Sequence, residues 1–224
     1  MTYIFLLFIE IVILFFLSRA MSRTLSKFLS INIISVIFLP GVIIHELSHL
    51  FMAAIMLVPV GRIEFVPKKE NNKLRLGSVE IAKTDPFRRA IIGFAPVVVG
   101  LAIIIGFVYL FSHNIPFLQS ENYYIFIAVS LILAYLLFAI SNTMFSSSRD
   151  MEGAAEILIT LVIISILVYM LGFRFPPSYL DKILTKEIVG MIQRSVIFLI
   201  APIAIDLLVL GAVRLFTSMQ SQTR

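Results

Sequence analysis

From Phe28 to Pro59 the chain runs for about thirty residues with almost no charge, more than a helix rising 1.5 Å per residue needs to cross a ~30 Å hydrocarbon core. Comparable runs extend from Tyr3 to about Leu17, from Pro86 to about Ser112, from Tyr123 to about Phe145, from about Ala154 to Leu171 and from about Ile188 to Phe216. The residues are 60% hydrophobic and 14% charged, with mean hydropathy +1.04. A soluble domain of this length could not bury so much apolar surface. In lipid the backbone must satisfy its own polar groups, which leaves helices or a closed barrel, and runs this long favour helices. The expected fold is an all-α polytopic membrane protein with about six transmembrane helices.

One stretch breaks the pattern. Between Gly61 and Asp85, Arg62-Ile63-Glu64-Phe65-Val66 and Lys73-Leu74-Arg75-Leu76 alternate polar with apolar, as strands do, around the turn Lys68-Lys69-Glu70-Asn71-Asn72. Val79-Glu80-Ile81 alternates in the opposite phase, which predicts a bulge at Gly77-Ser78. The second helix is therefore expected to lead into a small membrane-associated β-hairpin over residues 60–84. Pro40-Gly41 should kink the helix before it. The whole chain, 1–224, reads as one integral membrane domain, with a core over 28–155 and flanking helices in 1–27 and 156–224. The first run lacks a basic leading segment and reads as an uncleaved anchor. Glu10 and Asp206 lie inside apolar runs and are expected to find polar partners on other helices.

The net charge of +5 comes from short basic loops, as membrane-flanking segments have, and gives no reason to expect nucleic acid as a partner. With the hairpin inside, eleven of the 18 Lys and Arg fall on the inner side. That predicts a plasma-membrane protein with hairpin and both termini cytoplasmic. There is no cysteine, so thiolate ligands, thiol nucleophiles and disulfides are excluded.

Inside the second apolar run stands His45-Glu46-Leu47-Ser48-His49, an H-E-x-x-H sequence. Residues four apart share a helix face, so both imidazoles can hold one Zn2+ ion. Glu46 is about 100° further round, within reach of a zinc-bound water as its general base. Catalytic zinc usually takes three protein ligands. His113, the remaining histidine, falls at the opposite side of the membrane. The third ligand is then a carboxylate: Asp150, at the break between two spans, with Glu152 and Glu156 as alternatives. As purely structural elements, Asp150 would cap the following helix and Glu152 would sit in its first turn.

These features resemble the site-2 protease family of intramembrane zinc metalloproteases, in a divergent form. His45, Glu46 and His49 match that family's first motif, the hairpin follows, and Gly93, Pro96 and Gly100 look like its Gly/Pro helix. Asn142 and Asp150 are spaced like its distal Asn-to-Asp element, although Phe145 stands where proline is common and Met151 where glycine is usual. The resemblance implies zinc on His45, His49 and Asp150, Glu46 as the catalytic base, and Asn142 holding the substrate backbone or oxyanion. It further implies hydrolysis of membrane-spanning or signal-peptide-like substrates within the bilayer, with the hairpin edge, including Phe65 and Leu76, pairing with an extended substrate. Two other functions fit the motif: a membrane zincin of the prenyl-protein processing type, with Glu152 or Glu156 as ligand, and a non-catalytic metal-binding protein or transporter.

Overall fold

The computed structural model describes residues 2–65, 68–70, 73–75, 77–145, 163–164, 166–167, 169–172 and 185–222. Five long helices dominate: α1 (Thr2–Phe28), α2 (Ile31–Ile55), α3 (Pro86–Glu121), α4 (Tyr123–Thr143) and α5 (Lys186–Gln222). All five are long and apolar enough to cross a membrane. The expected fifth span, about Ala154 to Leu171, falls mostly outside the described residues.

Polarity is distributed inside out. Phe5, Phe8, Phe16, Val36, Phe51 and Leu131 are more than 60% exposed, while His45, Glu46, His49, Ser141, Asn142 and Asp206 are buried. Water would not tolerate that apolar exterior over such an area, whereas lipid solvates it and leaves polar groups to pair inward.

Helices α1 and α3 run well past their expected limits. α1 continues through the basic stretch 19–27, because the Arg19 guanidinium lies over the Phe15 ring, 4.3 Å from its centroid, and its apolar stem tolerates the helix surface. α3 runs past His113 to Glu121, over residues expected to form a loop; Ser112 and Asn114 bond back to carbonyls within the helix and Tyr109 stacks on His113. Pro40 lies inside α2, which continues through it, and the Tyr135 hydroxyl of α4 donates to the Ile37 carbonyl, three residues before it, at 3.0 Å.

The segment after α2 is a β-hairpin in two sections. β1 (Val60–Glu64) pairs antiparallel with β4 (Ser78–Ile81), and β2 (Lys68–Glu70) with β3 (Lys73–Arg75). The register slips between Val60 and Ile63, with the extra residue on the first arm. The turn out of α2 closes in a Schellman arrangement: Val58 N–H donates to Ala53 O (2.9 Å) and Leu57 N–H to Ala54 O (3.1 Å). Leu57 takes the left-handed position there, φ 56°. Asp85 caps α3, accepting from the Arg88 N–H at 3.0 Å; that bond holds its carboxyl below the usual carboxylate range.

Glycines set two helix crossings. A Cβ at Gly41 would collide with the Ala139 carbonyl oxygen and the Thr143 hydroxyl on α4, and one at Gly100 would press on Met144 at 3.1 Å. α4 is thereby held against both α2 and α3, as small residues allow in lipid.

Candidate metal centre

Residues 45 to 49 lie on a continuous stretch of α2. Their spacing of four brings the two imidazoles together: His45 Nε2 and His49 Nε2 are 3.2 Å apart, with the rings nearly perpendicular and 4.8 Å between centroids. Two nitrogens bound tetrahedrally to one zinc at 2.0–2.1 Å would be about 3.3–3.4 Å apart. The pair is thus set at ligand spacing; the same separation accommodates a proton shared between the rings. Both histidines and Glu46 are buried, each at 5% exposure or less.

The His49 ring is oriented from α3. Its Nδ1 lies 2.9 Å from the Ile92 carbonyl oxygen. A carbonyl only accepts, so Nδ1 carries the proton and Nε2 presents its lone pair towards His45. Metal-binding histidines are commonly fixed in this way by an acceptor on the far nitrogen. Ser48, between the two, turns its hydroxyl back to the Ile44 carbonyl at 2.5 Å.

The hairpin reaches the same place. A Cβ built on Gly77 would stand 2.5 Å from Glu46 Oε1 and 2.9 Å from its Cγ, so the backbone between β3 and β4 rests on the Glu46 carboxylate. Phe65, just past β1, is half-buried; Leu76 lies outside the described residues.

Asn142, near the end of α4, is buried and donates from Nδ2 to the Phe138 carbonyl (3.0 Å) and to Asp206 Oδ1 on α5 (2.8 Å). Asp206 thus has the inter-helix partner expected of it. Asn142 Oδ1 and Asp206 Oδ2 are buried with no hydrogen-bond partner among the described residues, as is Glu10 Oε2.

Among the described residues no third His, Cys, Asp or Glu joins the two histidines. Asp150, Glu152 and Glu156 all lie outside the described residues. Sequence reasoning missed three contributors: the Ile92 carbonyl, Gly77 and Asp206 as the partner of Asn142. Only the first left a readable trace, a proline four residues after Ile92.

The donor set, two imidazoles at ligand spacing with one tautomer fixed, fits Zn2+. A comparison of the chain with protein-family models, curated proteins and solved structures finds no match in any of the three.

Proposed function

We propose that this chain is an intramembrane zinc metalloendopeptidase of the site-2 protease type, hydrolysing peptide bonds of membrane-spanning or signal-peptide-like substrates. The observation that carries the proposal is the 3.2 Å approach of His45 Nε2 to His49 Nε2, beside a buried glutamate on which a hairpin backbone rests. His45 and His49 would hold the zinc with Asp150; the prenyl-protein processing alternative substitutes Glu152 or Glu156. Zinc bound there would polarise a peptide carbonyl and acidify a water.

The protein's own groups do the rest. A Glu46 carboxylate oxygen takes the water proton and returns it to the leaving amine. The sheet formed by β1 and β4 offers an edge on which an unwound substrate segment can lie extended, next to Glu46. Asn142 steadies the substrate backbone, and the Ile92 carbonyl keeps His49 in its metal-binding tautomer.

The proposed topology has six spans, with the centre towards the cytoplasm. The ends of the helices favour the number of spans. Arg194, near the start of α5, donates to Ser112 at 3.0 Å, about 30 Å along α3 from the Ile92 contact at 1.5 Å per residue. α4 ends beside the metal centre and α5 begins at the opposite end, which is the parity six crossings give.

Replacing Glu46 by Gln tests the mechanism. The variant should keep stoichiometric zinc and lose cleavage, so that uncleaved membrane proteins accumulate in its membranes when compared with wild type by proteomics. Identical protein profiles in the two membranes would remove the catalytic proposal and favour a metal-binding protein without proteolysis. Zinc content of Asp150→Ala against Glu152→Ala and Glu156→Ala assigns the third ligand.

A further inference from the structure

We infer that Pro96 is a positioning residue for the metal centre: by lacking an N–H it leaves the Ile92 carbonyl to hold the ring of His49. The inference rests on the metal-centre proposal above and adds a residue outside the ligand set.

α3 is continuous from Pro86 to Glu121 with Pro96 inside it. In an uninterrupted helix the carbonyl of residue 92 accepts from the amide of residue 96. Proline has no amide hydrogen there. Ile92 is 1% exposed, so its carbonyl has no water to turn to, and an unmet carbonyl in hydrocarbon is costly. The donor that reaches it is His49 Nδ1, at 2.9 Å.

One bond meets two needs. The carbonyl left over by Pro96 gains a donor, and the imidazole gains a fixed tautomer, Nδ1–H towards α3 and Nε2 towards His45. Without that anchor the ring could rotate or place its proton on Nε2, and either change removes a lone pair from the metal. With alanine at 96, the restored amide would compete with His49 for the same oxygen.

The test uses purified full-length protein and reads zinc affinity by chelator competition, together with the His49 tautomer by 15N NMR of labelled histidine. Pro96→Ala should weaken zinc binding about ten-fold or more, the usual effect of losing an orienting partner, and should mix the His49 tautomers. Pro202→Ala, at the proline inside α5, should bind zinc as wild type does. The deciding variant carries the α-hydroxy acid analogue of alanine at position 96, which has alanine's side chain and an ester oxygen in place of N–H. It should retain wild-type affinity and a single tautomer.

If the alanine and ester variants behave alike, whether both lose zinc or both keep it, the inference is overturned, because proline would then act through ring shape or not at all. Wild-type protein that folds without taking up zinc would fail earlier, on the metal-centre proposal itself, before any variant is compared.

Discussion

Two glycines hold positions that no side chain could share. At position 77 the backbone lies on Glu46, and a methyl group would meet Oε1 at 2.5 Å. Gly77→Ala must displace either the strand or the carboxylate. Misplacement of a reacting group by about 1 Å costs on the order of 100-fold in rate, so the proposed proteolysis should fall by roughly that factor while zinc content stays at wild type. Gly41→Ala acts on folding instead. It forces α2 away from the Ala139 carbonyl and should lower stability in detergent by about 1–3 kcal/mol, seen as a lower midpoint of thermal unfolding. The H-E-x-x-H face was legible in the sequence, because a spacing of four dictates one face of a helix. Gly77 was not. Its alternating neighbours disclosed a hairpin, but no local pattern tells which strand residue will rest on a glutamate of the preceding helix.

Among the described residues, two buried side-chain hydrogen bonds join elements within the apolar bundle. One is His49 to Ile92, between α2 and α3; the other is Asn142 to Asp206, between α4 and α5. Asp206→Leu leaves a buried amide short of its acceptor and should cost about 1–3 kcal/mol, the range for a buried polar group left unsatisfied. The double change Asn142→Leu/Asp206→Leu should recover much of that loss, since removing both partners strands neither. Unfolding midpoints of the two singles and the double decide it; a loss in the double equal to the sum of the two single losses would show that the bond contributes nothing. The existence of each helix was legible from its apolar run, but its ends were not. Residues 19–27 and 113–122 lie between the expected apolar runs and read as connections, yet Arg19 lies on Phe15 and Ser112 and Asn114 bond into their own helix. A long side chain's polarity says where its head goes, not where the backbone stops.

For the molecule as a whole, the sequence carried a helical membrane protein with a hairpin after the second helix, because hydropathy and alternation are averages over many residues. The contacts that unite it were beyond reach, since they join positions far apart in the chain. Natural absence of cysteine makes the topology directly measurable. Single cysteines at Lys83 and Asn114 should react with impermeant reagent from opposite faces of the membrane, and one at Lys186 should side with Asn114; a Lys186 position that labels with Lys83 would refute the parity of six spans. The hydrogen bond from Asn142 to Asp206 has a further consequence at this scale. A truncated product stopping before residue 186 would keep every residue assigned to chemistry, yet would carry into oil an amide with one of its two acceptors gone. Nonsense alleles late in the gene should therefore behave as null alleles although the proposed machinery is spelled out in full.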